Sequence, residues 1–160
     1  MLIAIWKSYA EACDGNLNPS DFTQAEFFWT GLRDAWDTYH VVRLLRPGSA
    51  IFDVGANFGY YSIVACAELN GDCEVYAFEP NTPSFARLTQ NIQLNGFEGQ
   101  IRALRIALSD TSGSGWMVEH PGNSGDARVN RTCGTQPISL TYFGSVLCGK
   151  PGRAHRLCQN

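Results

Sequence analysis

Between residues 50 and 106, three short apolar runs alternate with two stretches of helical periodicity, and few folds accept that order. Ala50 to Val54 reads as a strand, Tyr60 to Leu69 as a helix and Glu74 to Phe78 as a second strand. Pro83 to Leu94 then reads as a second helix and Ile101 to Ile106 as a third strand. Strands separated by helices of this length imply right-handed crossovers and a parallel sheet. That is the start of a doubly wound α/β fold, whose ligands bind outside the carboxyl ends of the strands. The second helix carries Phe85, Leu88, Ile92 and Leu94 roughly along one side, and Asn95-Gly96 is a suitable stop for it.

The chemistry gathers at the ends of the first two strands. Asp53-Val54-Gly55-Ala56-Asn57-Phe58-Gly59 leads a strand through glycine into a helix, which lets the backbone approach a ligand closely. The dinucleotide pattern G-x-G-x-x-G is not matched, because Asn57 stands where its second glycine belongs. No Gly-Lys-Ser/Thr follows, so a phosphate-gripping P-loop is excluded. An acid such as Asp53 at this place suits a cationic or hydroxyl-bearing ligand better than a pyrophosphate. Glu79 closes the second strand in Val75-Tyr76-Ala77-Phe78-Glu79-Pro80. In doubly wound sheets an acid there accepts hydrogen bonds from both ribose hydroxyls of an adenosine-type ligand.

Three stretches, IFDVGANFGYYSIVA, VYAFEPNTPSFARLTQNIQLNG and ALSDTSG, together resemble the FkbM family of S-adenosylmethionine-dependent methyltransferases over roughly residues 46 to 130. The resemblance implies a Rossmann-like doubly wound parallel sheet of the class I methyltransferase type, with S-adenosylmethionine as cofactor. It implies that Asp53, Gly55, Ala56, Asn57 and Gly59 line the methionine and ribose side of that cofactor. Glu79 would bind the ribose hydroxyls, Pro80 and Asn81 would shape the adenine side, and Ser109 and Asp110 would sit near the adenine. Asn123-Ser124-Gly125 resembles a further asparagine-glycine element of the family. The family's K-I-D-x-E-G type motif is missing between Arg131 and Asn160. The expected sheet is therefore incomplete on its C-terminal side, as in a truncated chain, with an uncovered edge through which copies can associate.

The flanks divide the chain. Residues 1–46 read as a helical extension and residues 47–130 as the cofactor-binding half-domain, with an atypical basic tail over 131–160. One helix is expected over 20–46, capped by Ser20 or Asp21, with Phe22, Phe27, Phe28, Leu32, Trp36, Val41, Leu44 and Leu45 as a core-facing stripe. Arg46-Pro47-Gly48 should end it. Gly113 to Glu119 is a candidate fourth strand, followed by a polar, glycine-rich HPGNSGDARVN. Residues 131–160 show neither helical periodicity nor sustained strand alternation, as in a disordered or non-native segment.

The net charge of −3 gives no general affinity for nucleic acid or anionic membrane. MLIAI is too short for a signal-peptide core, and no apolar run is long enough to span a bilayer, so a cytoplasmic protein is expected. The six cysteines form no C-x-x-C pair and have no histidine at zinc-finger spacing, so no metal site is expected. No catalytic base is identifiable among His40, His120 and His155, and His120 reads as a solvated loop residue. The resulting expectation is methyl transfer to a hydroxyl oxygen of a sugar or secondary metabolite, the acceptor being a small molecule or glycan. The alternative is a catalytically inactive remnant that keeps the nucleoside pocket. A nicotinamide-dependent oxidoreductase is disfavoured by Asn57.

Overall fold

The computed structural model describes residues 19–30 and 34–148. Its helices are α1 (Phe22–Thr30), α2 (Ala35–Leu44), α3 (Tyr60–Glu68), α4 (Thr82–Leu94) and α5 (Phe143–Cys148). The strands are β1 (Ser49–Val54), β2 (Cys73–Phe78), β3 (Ile101–Leu104), β4 (Ala107–Ser109), β5 (Gly113–His120), β6 (Asn123–Asn130) and β7 (Gln136–Tyr142). Expectations for residues 1–18, for Leu32 and for the tail beyond residue 148, His155 included, lie outside the described residues.

The expected β-α-β-α-β run is present. Strands β1, β2 and β3 form one parallel sheet in that order, with Val54 opposite Phe78 and Phe78 opposite Leu104. The chain is thus a mixed α/β protein built on an incomplete Rossmann-like sheet. Its strands are short and apolar because helices pack on them: α3 and α4 supply Ile63, Val64, Cys66, Leu88 and Ile92 to a core shared with Val75, Ala77 and Ile101. Cys66 is fully buried in that core. Helix α4 starts with its own cap, Asn81 Oδ1 accepting from Ser84 N–H at 3.0 Å, and stops before Asn95-Gly96.

Three expectations change. First, residues 20–46 form two helices, because the chain turns through Asp34, which has the left-handed φ of 45°. The apolar stripe is split as a result. Phe27 is buried against Phe58 and Tyr60, whereas Phe22, Trp36 and Leu44 each remain more than 70% exposed. Second, the polar stretch after His120 is strand β6, paired antiparallel with β5. Third, residues 136–148 are ordered as β7 and α5 rather than lacking regular structure.

Strands β4 to β7 make a second sheet in the order β4-β7-β5-β6. Strand β7 lies parallel to β4 and antiparallel to β5, and so holds the centre of this sheet. A small core of Ala107, Met117, Ile138 and Leu140 supports it. This second sheet supplies the other wall of the site.

Candidate functional site

Leaving β1, the chain bends across the end of β2. The N–H groups of Gly55 and Ala56 both donate to the Phe78 carbonyl, at 2.9 and 3.0 Å. Gly55, Asn57 and Gly59 all adopt left-handed φ angles, of 81°, 51° and 92°. The two glycines meet this demand differently. A Cβ on Gly55 would enter open space, whereas one on Gly59 would lie 2.6 Å from Leu88 Cδ1. Gly59 therefore lets α3 pack on α4, and Gly55 serves the turn itself. Asn91 on α4 pins the far side of the turn by donating to the Phe58 carbonyl at 2.8 Å.

Glu79 is buried at the centre of this arrangement. Its Oε2 accepts from the Asn57 main-chain N–H at 2.7 Å, and its Oε1 accepts from the Asn81 N–H at 2.8 Å. One carboxylate thus joins the glycine turn to the N-terminus of α4. Each oxygen keeps further acceptor capacity, as a pair of ligand hydroxyls would require. Burial pushes the Glu79 carboxyl above its ordinary value; the N–H bonds from Asn81 and Asn57 oppose that shift, and the Asp53 charge adds to it.

Asp53 does something else. Its Oδ2 accepts from the Ser62 hydroxyl at 2.6 Å and from the Ser62 N–H at 3.1 Å. Ser62 lies in the first turn of α3, whose own N-cap, Gly59, offers no side chain. The strand acid therefore caps the following helix from outside it. Burial raises the Asp53 carboxyl above its ordinary value, with the two Ser62 bonds acting against this.

A cavity of about 220 Å³ opens at the carboxyl ends of β1 and β2. Gly55, Asn57, Glu79 and Pro80 line one side, and Ile106 to Leu108 with Met117, Ser124 and Val129 line much of the other. Asp53, Ala56, Gly59 and Asn81 stand behind this lining. Asn81 holds Glu79 and donates from Nδ2 to Glu119, and Ala56 is buried in the core. Ser109 and Asp110 are not brought to the cavity. They pair with each other at 2.9 Å and with Arg131 on the exposed surface. The Ser109 bond, followed by the Arg131 guanidinium, holds the Asp110 carboxyl below its ordinary value.

Sequence reasoning missed the apolar wall from β5 and β6, because Met117 and Val129 belong to no motif. It also gave Asp21 only a capping role. No membrane-length apolar helix occurs among the described residues. His120 is exposed, beside Asp126.

No protein-family model matches the chain. Among characterised proteins it is 39% identical over 77 residues to the 31-O-demethyl-FK506 methyltransferase FkbM of Streptomyces tacrolimicus, covering 48% of this chain and 28% of that protein. It is 35% identical over 86 residues to the hexuronic acid methyltransferase AglP of Haloferax volcanii, covering 51% and 34%. A third match, to the AMB antimetabolite synthetase AmbE of Pseudomonas aeruginosa, has 28% identity over 148 residues, 91% of this chain and 6% of that protein. The chain spans about a third or less of the length of each relative. The resemblance read from the motifs is borne out: the chain is similar to FkbM and to a second methyltransferase. The AmbE match is longer than the 130 residues that precede the expected tail, so the similarity runs on into β7 and its surroundings.

Proposed function

We propose that this chain is the cofactor-binding part of an S-adenosylmethionine-dependent methyltransferase. The observation that carries the reading is Glu79, held by two main-chain N–H groups at the end of β2, facing a cavity beside the glycine turn. That is the donor and acceptor set an adenosine ribose calls for. Similarity to two methyltransferases supports S-adenosylmethionine over other adenosine ligands. Gly55, Asn57, Glu79 and Pro80 would contact the cofactor. Asp53, Ala56, Gly59 and Asn81 would shape those contacts from behind, and Ser109 and Asp110 would act only if the surface around Arg131 rearranged.

The cofactor brings a methyl group already activated on a sulfonium, so this chain has chiefly to bind and orient it. Glu79 fixes the ribose, and the Gly55 backbone allows close approach. Met117, Ala127 and Val129 give the cavity an apolar side. Among the lining residues, Glu79 is the only ionisable one, and in this reading its spare acceptor capacity goes to the ribose hydroxyls. A hydroxyl acceptor would need its proton removed, and no group on this wall is placed to take it. The acceptor we propose is a hydroxyl oxygen of a sugar or other small molecule, acted on in the cytoplasm. The absence of a base from the cavity wall favours a second reading, in which the described residues bind the cofactor without catalysing transfer alone.

Calorimetric titration with S-adenosylmethionine and its demethylated product tests both readings. Binding of either ligand, abolished or strongly weakened by Glu79→Ala, is expected. No binding would overturn the proposal, and binding with no methyl transfer to a panel of hydroxyl acceptors would select the second reading.

A further inference from the structure

Asp21, remote in sequence from the glycine turn, is linked to the middle of it. It is buried, and its carboxylate accepts from four donors. Oδ1 takes the Thr23 and Gln24 N–H groups at 3.0 and 3.2 Å, which is an ordinary N-cap for α1. The other two bonds serve no cap. The Ser124 hydroxyl donates to Oδ1 at 3.0 Å and the Ser124 N–H to Oδ2 at 2.8 Å, across 103 positions of sequence. Thr23 adds to this seam: its hydroxyl donates to Asn123 Oδ1 at 2.8 Å and accepts from Gly125 N–H at 2.9 Å. A Cβ on Gly125 would collide with the Thr23 side chain, so only glycine permits this approach.

The Ser124 hydroxyl has a single proton. It can go to Asp21 Oδ1 at 3.0 Å or to Asn57 Oδ1 at 3.4 Å, and the shorter, charge-assisted bond takes it. The oxygen of Ser124 is then left as an acceptor, which Asn57 Nδ2 reaches at 3.1 Å. This decides the orientation of the Asn57 amide. Its nitrogen donates to Ser124, while its Oδ1, 3.4 Å from the same hydroxyl oxygen, receives no proton from it and keeps its capacity to accept from a ligand donor. Asn57 and Ser124 both line the cavity, and the Asn57 main chain holds Glu79.

We propose that Asp21 is a positioning residue of the cofactor site, acting through Ser124 to hold the Asn57 amide with its oxygen presented to a donor group of the ligand. The ligand part of this inference rests on the reading of the cavity as an S-adenosylmethionine site. The relay itself does not.

The substitution that separates capping from positioning is Asp21→Asn in the full chain. Asparagine caps a helix as well as aspartate does, but it is neutral, so the Ser124 hydroxyl proton loses its charge-assisted preference for Oδ1 over Asn57, and its amide nitrogen cannot accept from the Ser124 N–H. Helix content should stay close to that of the unmodified protein, and the melting temperature should fall by about 2–4 °C, the cost of leaving the Ser124 N–H without its acceptor. The Asn57 side-chain amide resonances should shift or broaden in nitrogen-proton correlation spectra. Affinity for S-adenosylmethionine should fall about tenfold, the loss expected for one charge-assisted hydrogen bond. Ser124→Ala, which leaves the cap intact, should do the same, and the double variant should be no weaker than either single one. Asn57 resonances unmoved in Asp21→Asn would overturn the relay, as would losses that add in full. If the unmodified protein fails to bind S-adenosylmethionine, the functional reading falls, while the Asn57 resonances still decide the role of Asp21.

Discussion

Two carboxylates near strand ends can look alike in a sequence, and here Asp53, inside β1, and Glu79, just past β2, do different work. Glu79 faces the cavity with spare acceptor capacity. Its raised pKa means the folded state holds the proton more tightly than the unfolded chain. That contribution to stability is present in acid and is lost as pH rises through the native value. Ligand binding has the opposite sign, because only the ionised carboxylate can accept from two hydroxyls. Affinity for S-adenosylmethionine should therefore start to fall while the pH is still above 4.5, the ordinary value for a glutamate. Calorimetry across a pH series checks this, with Glu79→Gln as control: it should bind ten- to a hundredfold more weakly, about 1.5–3 kcal/mol, and lose the glutamate's pH dependence. An unmodified affinity that is level down to pH 4.5 would contradict the role given to Glu79. Asp53, by contrast, is a helix cap. Asp53→Ala should cost about 1 kcal/mol and lower the melting temperature by about 2–4 °C, with ligand affinity falling only as far as the turn loosens.

At the scale of elements, the glycine turn works because α3 and α4 fit against each other under it. Gly59→Ala places a methyl group against Leu88 and forces a left-handed residue to carry a side chain. It should destabilise the fold by about 1–3 kcal/mol, as overpacking does, and by more than Gly55→Ala, where the added methyl group meets nothing. Thermal melts of the two variants test this ranking. The β1–α3–β2–α4–β3 frame was legible because buried parallel strands and amphipathic helices write themselves as apolar runs at distinct periods. Glu79 was legible because an acid that closes an apolar strand stands out in the sequence. The second sheet was not. Strand β6 is the outer strand of that sheet and has no fully buried residue, so NSGDARVN reads as a polar loop. Strand β7 buries only Ile138 and Leu140, too few alternations to stand out from its surroundings. The break before α2 rests on the left-handed Asp34, and the aromatic stripe gave no sign of it. Asp21 illustrates the harder limit: its cap was visible in the sequence, but its bonds to Ser124 depend on a fold that brings residues 21 and 124 together.

For the whole molecule, the consequence lies on β1. This strand pairs with β2 on one side, and no described strand pairs with its other side. A parallel strand at the centre of a doubly wound sheet is normally buried on both faces. Here Ala50 and Val54 are exposed, and Phe52 is only half-buried although Phe143 packs edge-on against it at 5.6 Å. An unpaired row of main-chain donors and acceptors beside apolar side chains is a template for a further strand. The chain should therefore associate through β1, with sedimentation showing a mass that rises with concentration. Ala50→Lys puts a charge on an exposed position of that strand, away from the cavity. It should shift the distribution toward monomer without changing cofactor affinity, because β1 meets the site only through Val54 and the turn that follows. A concentration-independent monomer, or association that Ala50→Lys leaves untouched, would show that the β1 edge is not the contact.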